Sequence, residues 1–213
     1  MNNIAGIRKD YKQLSLNEND VAAGPIEQFG KWWGEATNSE IDEVNAMTLA
    51  TADSEGRPSA RIVLLKGFDE NGFVFFTNYH SHKGMDLEAN PFASLVFFWK
   101  ELERQVRIEG AVAKIPAAES DAYFDSRPEG SRIGAIASPQ SSVITSREII
   151  EEKVQRIQQE MLNKKIERPV HWGGYIVRPN LVEFWQGRPS RLHDRIRYIT
   201  NEEAGWSIER LAP

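Results

Sequence analysis

The chain has 213 residues, of which 40% are hydrophobic and 27% charged, a composition typical of a globular protein. It contains no cysteine, so disulfides, thiolate metal sites and cysteine nucleophiles are excluded. The formal net charge of −5 argues against nucleic acid as a partner, but it leaves room for a small phosphorylated ligand, which needs only a few cations placed together.

The N-terminal region, residues 1–24, is polar and weakly periodic, which predicts a mobile arm. It has no apolar stretch of signal-peptide length. The longest strongly apolar run in the chain, 95–99, is far shorter than the roughly 20 residues that a membrane span requires. The sequence therefore predicts a cytoplasmic protein with no membrane partner.

The first predicted helix covers residues 25–38, where Pro25 suits the first helical turn and the apolar side chains fall on one stripe. Between 46 and 115 the pattern changes to short strands separated by turn signals such as DSEG and DENG. These strands read MTLATA, RIVLLKGF, GFVFFT, ASLVFFW and ERQVRIEGAVAKI. A short helix between Ser81 and Asn90 interrupts them. Closely spaced strands with hairpin connections predict an antiparallel barrel or curled sheet.

The C-terminal half begins with a predicted helix at 117–127 that Pro128 ends. A longer helix is predicted at 146–165, with Thr145 and Glu148 as a capping box. The tail returns to strands: GGYIV, VEFWQ, RLHDRIRYI and WSIERL. We therefore predict a mainly β fold with α-helices, of the α+β class, forming one domain over residues 25–213.

Two superficial motifs are set aside. GPIEQFGK differs from a phosphate-binding loop in its glycine spacing, and Trp32 stands where a metal-binding hydroxyl is needed. His80 and His82 are two residues apart, but a lone pair in a polar loop is more often solvated. No metal site is predicted.

The strongest chemical pattern is RLHDR. If it is a strand, Arg191, His193 and Arg195 project from the same face, where they repel one another unless an anion lies among them. The alternative is a solvated edge strand, on which charges deter aggregation. Phe184 and Trp185 upstream supply the aromatic surface that a flat heterocycle would need.

A second pattern is Tyr123, Arg127 and Ser131. The first two are four residues apart and would share a helix face, and Ser131 falls at the predicted start of the next helical turn. Free backbone N–H groups, a hydroxyl and a guanidinium together make an anion site. The alternative is a tyrosine that packs on an arginine stem beside an ordinary helix cap.

Two further cationic patterns could either bind an anion or have an ordinary structural role. Arg61 and Lys66 are five residues apart, so a regular strand puts them on opposite faces; they either serve different points of a ligand or simply flank a buried strand. Ser81, His82 and Lys83 combine a capping hydroxyl with cations at the positive end of a helix, or are a plain N-cap with an exposed lysine.

These residues, taken with their neighbours, resemble a known family. The strings RIVLLKGFDENGFVFFTNYHSHKG, YFDSRPEGSRIGAIASPQSS, WGGY, EFWQG, RLHDR and ERLAP, in this order, are similar to pyridoxamine 5′-phosphate oxidases. The resemblance implies an FMN-binding antiparallel split β-barrel with flanking helices, and a homodimer with FMN at the subunit interface. It also implies that pyridoxamine or pyridoxine 5′-phosphate is oxidised to pyridoxal 5′-phosphate, with hydride transfer from C4′ to flavin N5 and reduction of O2 to H2O2.

Carried over by position, the resemblance implies three groups of site residues. The group around the FMN phosphate and ribityl chain, with its neighbours, is Arg61, Ile62, Val63, Leu64, Leu65, Lys66, Phe76, Thr77, His82, Lys83, Gln140 and Ser141. The group around the flavin, some of it from the second subunit, is Gln105, Trp185 and Arg195. The substrate group is Lys66, Tyr123, Arg127 and Ser131 for the phosphate, Arg191 and His193 over the ring as the catalytic residues, and Arg8 and Tyr11 in a closing N-terminal segment.

The chain departs from the family pattern at three positions. His82 and Ile176 stand where arginine is common, and Phe76 replaces a common tyrosine. Two other functions stay open at this stage: a barrel that binds FMN or pyridoxal phosphate without turnover, and a related flavin oxidoreductase with another substrate.

Overall fold

The computed structural model describes residues 6, 10–162, 164–201 and 205–213, which form five α-helices and a nine-stranded sheet. The helices are α1 Pro25–Thr37, α2 His82–Ala89, α3 Ala117–Ser126, α4 Glu129–Ala137 and α5 Glu148–Glu160. The strands are β1 Ala46–Ala52, β2 Pro58–Leu64, β3 Gly67–Asp69, β4 Gly72–Asn78, β5 Phe92–Trp99, β6 Arg104–Lys114, β7 Trp172–Gln186, β8 Asp194–Asn201 and β9 Gly205–Arg210. Among the described residues, no helix is both long and apolar enough to cross a membrane.

The strands follow the order β2-β1-β5-β6-β7-β4-β3, with β8 paired to β7 and β9 paired to β8. The pairs β3–β4, β4–β7, β7–β8 and β8–β9 are antiparallel. The register sets Phe76 of β4 opposite Gly174, and Trp185 of β7 opposite Arg195 of β8. The mainly β, α+β class predicted from the sequence is confirmed.

The chain divides into two compact units. Unit 1 comprises residues 1–49, 94–110 and 179–213, and unit 2 comprises 50–93 and 111–178. The interpretation of residues 25–213 as a single domain remains a prediction.

The core of unit 1 is aromatic and is built on α1. Phe29 is fully buried, with its ring centroid 5.3 Å from that of Phe97. Trp32 meets Phe184 edge-on at 5.2 Å. The apolar stripe seen in the sequence is therefore the face that α1 buries, and burial of such aromatic surface is the main favourable term in folding.

The core of unit 2 lies in the segment between β6 and β7, which contains α3, α4 and α5. Buried residues of α3, α4 and α5 pack with Trp172 at the start of β7. The members of this cluster are Phe124, Ile133, Ala137, Ile157, Ile166 and Trp172. Because α3 and α4 are short, this packing rather than intrinsic propensity stabilises them.

Several local predictions are confirmed. The α2 helix begins after Ser81, whose side chain accepts a hydrogen bond from the Gly84 N–H. It ends at Ala89, one residue before the predicted stop. The α3 helix ends at Ser126, immediately before Arg127 and Pro128, since the residue before proline disfavours the helical conformation.

The capping box at α5 is wrong. Arg147 is the N-cap residue and has helical dihedral angles with no side-chain cap, so Thr145 lies too far upstream. The Glu148 carboxylate is instead hydrogen-bonded to Ser146, which lowers the pKa of Glu148. The helix itself ends at Glu160, earlier than the predicted 165.

The predicted strand RLHDRIRYI is also wrong in its first part. A short 3-10 turn covers Pro189–Arg191, and Ser190 and Arg191 have positive φ angles of 56° and 62°. The strand β8 begins only at Asp194. The alternation that would place Arg191, His193 and Arg195 on one face therefore does not apply, and the loop conformation determines their positions.

The described part of the N-terminal segment, 10–24, is hydrogen-bonded to other parts of unit 1. The Lys12 N–H donates to the Glu103 carboxylate at 2.9 Å, and the Leu16 N–H donates to Asp194 at 3.1 Å. The Tyr198 hydroxyl donates to the Ala22 carbonyl at 2.7 Å. The mobility of residues 1–24 remains a prediction, and Arg8 lies outside the described residues.

The tight turn between β3 and β4 depends on Gly72. Its φ angle is +139°, and a Cβ there would lie 2.1 Å from the Val177 carbonyl oxygen. We predict that Gly72→Ala lowers the free energy of unfolding by about 1–3 kcal/mol, because both backbone strain and a steric clash arise. Urea denaturation measures this change.

The matched control is Gly67→Ala in the same hairpin, since a Cβ at Gly67 meets no atom within 4 Å. Its free energy of unfolding should stay within about 0.5 kcal/mol of the wild-type value. Equal losses in the two variants would contradict the argument.

Candidate active site

A cavity of about 760 Å³ lies in unit 2, between β2, β4 and the α2, α3 and α4 region. This volume falls in the range of small-molecule and cofactor sites. Many of the residues predicted from the sequence line it: Arg61, Ile62, Val63, Leu64, Lys66, Phe76, Thr77, Lys83, Tyr123, Arg127, Ser131 and Gln140. Arg61 and Lys66 thus reach one cavity, because β2 ends at Leu64 and the chain turns before Lys66.

The first cationic group in this cavity centres on Lys83, which is buried at the start of α2. Its ammonium donates to neutral oxygens: Thr77 Oγ1 at 3.3 Å, Ser81 Oγ at 3.4 Å and Gln140 Oε1 at 3.5 Å. Burial, and then repulsion by Arg61, lower the pKa of Lys83. A buried ammonium with neutral partners favours an added anion.

Arg61 is held beside Lys83 by a hydroxyl pair and a carboxylate. Its guanidinium donates to Thr51 Oγ1 at 2.7 Å and to Ser59 Oγ at 2.5 Å, and it lies 3.8 Å from the Asp86 carboxylate. Burial lowers the pKa of Arg61, and Asp86 partly offsets this. The arrangement fixes the guanidinium in one orientation at the cavity wall.

Asp86 is the buried acid that organises this group. It accepts hydrogen bonds from Thr51 at 2.6 Å and Ser59 at 2.9 Å. Burial alone raises the pKa of Asp86, but these hydroxyls, with His82 and Arg61, outweigh burial and lower it below the ordinary 3.8. Asp86 is therefore ionised at neutral pH.

The second cationic group is Arg127, which lies directly after α3. Its Nη1 atom is buried and has no hydrogen-bond partner among the described residues. Burial lowers the pKa of Arg127, which Tyr123 partly offsets. The predicted helix face shared by Tyr123 and Arg127 is wrong, since α3 ends at Ser126 and Arg127 is extended, yet both residues line the cavity.

A separate aromatic cluster lies in unit 1. The centroid of the His193 ring lies 4.6 Å from that of Trp185 and 5.9 Å from that of Tyr11. Tyr11 meets Trp185 edge-on at 5.7 Å. Gly187 allows this approach, since a Cβ there would lie 2.6 Å from the Tyr11 ring. Tyr11, Trp185 and His193 were predicted as site residues, and the structure brings them together.

A backbone hydrogen bond sets the protonation pattern of His193. The Arg188 N–H donates to His193 Nδ1 at 3.1 Å, so Nδ1 accepts and the proton of the neutral ring resides on Nε2. Burial, and then the nearby Arg191, lower the pKa of His193. His193 is therefore neutral at pH 7 and presents an Nε2–H donor.

Arg195 is tied to the neighbouring strand β7. Its Nε donates to the buried Glu183 carboxylate at 2.8 Å, which also accepts from Arg107 at 2.6 Å. Burial alone raises the pKa of Glu183, but the two arginines outweigh it and lower that pKa. The Glu183 carboxylate thus joins the two guanidinium groups, and Arg107 also pairs with Glu109, so that Arg195 is held in a fixed position beside Trp185.

The remaining predicted residues lie elsewhere. Leu65 is buried outside the cavity lining, His82 is exposed and lies 3.5 Å from Asp86, and Ser141 is exposed with a φ of +70°. Gln105 is half-buried on β6, and Arg191 is exposed.

Sequence reasoning missed several residues that line the cavity: Asn78, Pro128, Gly134, Ala135, Ser138 and Trp172. Most are small or lie in turns, and no spacing rule singles them out. Trp172 was visible only as part of the WGGY string.

Comparison with known proteins assigns the family. Residues 34–161 match the model described as pyridoxamine 5′-phosphate oxidase, and residues 172–213 match the pyridoxine 5′-phosphate oxidase C-terminal dimerisation region. A pyridoxine/pyridoxamine 5′-phosphate oxidase of Salinibacter ruber is 56% identical, with full coverage of both chains. The enzyme of the same name from Bordetella pertussis is 56% identical, with 99% of both chains covered.

Two solved structures are similar in fold. PhzG from Burkholderia lata, in complex with tetrahydrophenazine-1-carboxylic acid, superposes with a TM-score of 0.89 at 29% identity, covering 96% of this chain and all of that one. A pyridoxamine 5′-phosphate oxidase-related, FMN binding protein of Nostoc punctiforme has a TM-score of 0.71 at 20% identity, covering 90% and 99% of the two chains.

The fold and the cation-lined cavity define an α+β split-barrel protein of the oxidoreductase class. The chain belongs to the pyridoxamine 5′-phosphate oxidase family. The family, the fold class and the oxidoreductase class expected from the sequence are confirmed. The dimerisation region at 172–213 supports the expected homodimer.

The buried Asp86 gives a test of this site that needs no ligand. A carboxylate with a lowered pKa stabilises the folded state above its unfolded pKa, and the contribution disappears as the pH falls through the folded pKa. We predict that Asp86→Asn lowers the free energy of unfolding at pH 7, and that the difference from wild type shrinks in acid, below the ordinary pKa of 3.8.

Urea denaturation over a pH series measures this difference. The control is Asp42→Asn, at an exposed position in the turn before β1, whose free energy of unfolding at pH 7 should stay within about 0.5 kcal/mol of the wild-type value. A difference for Asp86→Asn that stays constant with pH would show that the charge of Asp86 does not contribute.

Proposed function

We propose that the protein oxidises pyridoxamine 5′-phosphate or pyridoxine 5′-phosphate to pyridoxal 5′-phosphate, with FMN as cofactor and O2 as acceptor, giving H2O2. The observation that carries the proposal is a cavity lined by the buried Lys83 and the half-buried Arg127, neither of which has a direct carboxylate partner among the residues that the structure describes. A phosphorylated cofactor and a phosphorylated substrate supply two phosphate anions.

The residues around Lys83 fit the phosphate of FMN. Lys83 and Arg61 are preorganised cations, and Thr77 and Gln140 add polar groups at the same wall. They lie at the N-terminal end of α2, where free N–H groups also favour an anion. When bound, FMN supplies the acceptor for the hydride that leaves C4′ of the substrate.

The residues around Arg127 fit the phosphate of the substrate. Arg127 offers its Nη1 donor, which has no partner among the residues with described positions, and Tyr123, Ser131 and Lys66 line the same cavity. Binding of this remote group orients the pyridine ring, so that binding energy from the phosphate is used to place the reacting carbon. Arg127 thus acts through position and not through proton transfer.

Arg191 and His193 would complete the site from unit 1. We infer that in the homodimer each site combines the unit 2 cavity of one subunit with the Arg191 and His193 cluster of the other, which the dimerisation region supports. Trp185 and Arg195 would lie beside the flavin, where the Arg195 guanidinium, held in place by Glu183, would favour negative charge on the cofactor. Tyr11 would cover His193.

His193 is assigned the role of hydrogen-bond donor. With its proton on Nε2, the neutral ring donates to a substrate oxygen and does not accept a proton from the substrate at that atom. Arg191 covers the ring of the substrate and orients the reacting amine or alcohol.

The first test separates binding from turnover. We expect Arg127→Ala to raise the KM for pyridoxine 5′-phosphate with kcat changed little, because a remote phosphate contact is lost. We expect Arg191→Ala to retain FMN but to lower kcat by at least about 100-fold, since orientation at the reacting carbon is lost. Steady-state peroxide release in air measures both.

The control is Arg147→Ala, an exposed arginine at the start of α5, which should match wild type. An unchanged KM in Arg127→Ala would remove that residue from the phosphate site, and full turnover in Arg191→Ala would remove Arg191 from the catalytic group. Absence of peroxide from the wild-type protein, with FMN bound, would favour a binding protein without turnover.

A second test asks whether two subunits share each site. The Arg127→Ala chain has a raised KM and the Arg191→Ala chain a lowered kcat, so both turn over slowly at a substrate concentration far below the raised KM. When the two chains are refolded together, half of the dimers are mixed and each mixed dimer has one intact site, so about a quarter of wild-type activity should return at that concentration. If both residues served a site from the same chain, mixing would restore nothing.

A third test concerns His193. We predict that long-range ¹H–¹⁵N spectra of the holoenzyme at pH 7 show His193 protonated at Nε2 and bare at Nδ1, and that kcat falls as the pH drops through its lowered pKa, because a protonated Nδ1 loses the Arg188 N–H bond. The spectrum of His193→Gln assigns the signals. A proton on Nδ1 at pH 7 would contradict the donor role.

A second candidate function follows from the PhzG structure, whose bound ligand is a reduced phenazine carboxylic acid. In this chain the Arg127 group would then take the carboxylate. Supplying tetrahydrophenazine-1-carboxylic acid to the holoenzyme and following peroxide tests it. Faster turnover of that acid than of pyridoxine 5′-phosphate would favour this second function.

A further inference from the structure

Arg127 lies on an aromatic surface that contains Trp172. The Arg127 Cζ atom is 4.6 Å from the centroid of the Trp172 ring and 5.9 Å from that of Phe124. Trp172 meets Phe124 edge-on at 5.3 Å. A guanidinium over an indole face at this distance gains cation–π attraction, which is strongest where water is excluded. Both rings are buried, and Arg127 is half-buried with its Nη1 atom shielded from solvent, so the attraction acts on a partly desolvated cation.

The Trp172 ring is itself fixed by a stack. It lies nearly parallel to Tyr123, at an interplanar angle of 9°, and to Phe76, at 15°. Phe76 and Tyr123 stack with their centroids 3.9 Å apart. Tyr123 and Trp172 both line the cavity. The stack therefore connects the cavity wall to the face on which Arg127 rests.

The backbone of Trp172 is tied to the helix that precedes Arg127. The Trp172 carbonyl accepts from Arg168 Nη1 at 2.6 Å, and Arg168 Nε donates to Asp121 of α3 at 2.6 Å. The same helix carries Tyr123 and Phe124. Strand β7 and helix α3 are thus held together at the point where Arg127 leaves the helix.

The orientation of the Arg127 guanidinium is not fixed by the helix, because the residue lies beyond the end of α3. The residue follows the last turn of α3 with extended dihedral angles, and its buried Nη1 has no partner in the described chain. A long flexible side chain in this situation loses conformational entropy whenever it is ordered. A ring that orders the guanidinium beforehand lowers this cost at the moment of binding.

We propose that Trp172 is a positioning residue that orients Arg127 toward the substrate phosphate and thereby sets the preference for phosphorylated over unphosphorylated substrates. This proposal rests on the proposed function. Trp172 acts through the electrostatics of its ring face, and its effect on binding requires Arg127.

The test keeps the shape of residue 172 while it weakens the ring face. Site-specific incorporation of tryptophans with one to four ring fluorines at position 172 preserves packing and progressively withdraws electron density from the ring. We expect the affinity of the holoenzyme for pyridoxal 5′-phosphate, measured by calorimetry, to fall stepwise, reaching about 5- to 30-fold at the most fluorinated ring. The affinity for pyridoxal, which lacks the phosphate, should not change.

Two controls separate positioning from packing. The same fluorinated series at Trp33, a half-buried residue of unit 1 that stacks on Phe29, should leave affinity unchanged. In an Arg127→Ala background, the series at position 172 should also be flat, because the cation is gone. For the substitution Trp172→Leu, we expect a raised KM for pyridoxine 5′-phosphate, with kcat and FMN content unaltered.

The proposal is overturned if fluorination at position 172 leaves the affinity for pyridoxal 5′-phosphate unchanged in the protein that retains Arg127. It is also overturned if fluorination lowers that affinity equally in the Arg127→Ala variant. If the wild-type holoenzyme binds pyridoxal 5′-phosphate no better than pyridoxal, the proposed function fails together with this inference. If the protein binds pyridoxal 5′-phosphate better than pyridoxal but fluorination at position 172 has no effect, the proposed function is retained and only the role of Trp172 is removed.

Discussion

Buried positive charge is the constraint on which the site depends. Removing an ammonium or guanidinium from water is costly unless an opposite charge or a full set of hydrogen bonds replaces the solvent. In unit 2, Asp86 provides the opposite charge for Arg61, while Lys83 has neutral oxygens, and the buried Nη1 of Arg127 has no hydrogen-bond partner within the described part of the chain. The folded chain therefore carries positive charge in this cavity that favours an anionic ligand, and we propose phosphate groups for this role.

The fold maintains this positive charge by packing the elements that carry the cations. Lys83 is fixed at the start of a helix whose cap is Ser81, and Arg127 leaves a helix that is packed against Trp172. In unit 1, Glu183 similarly fixes Arg195, and Arg188 fixes the His193 ring. In each case a neighbouring residue that is not proposed to contact the reacting atoms determines the orientation of a charged or polar group, as preorganised sites require.

Local signals such as period-two and helical patterns and proline stops predicted most of the strands and the helices α1, α2, α3 and α5. Most of the cavity lining was predicted through the family resemblance. Prediction from the sequence failed where tertiary contacts decide the conformation. The RLHDR segment was predicted as a strand, yet Ser190 and Arg191 adopt positive φ angles in a turn. The role of Trp172 was missed because its partners Tyr123 and Arg127 are about fifty residues away along the chain. Residue-level roles came from the family resemblance and not from spacing.

We propose above all that the substrate phosphate, bound by the protein, holds the reacting carbon against the bound flavin. The most direct measurement is an anaerobic titration of the purified FMN-loaded protein, followed by the flavin absorbance. We predict rapid bleaching with pyridoxamine 5′-phosphate and at least about 100-fold slower bleaching with pyridoxamine at the same concentration, since orientation is lost with the phosphate. Equal bleaching rates with the two compounds, or no bleaching with either, would contradict this account.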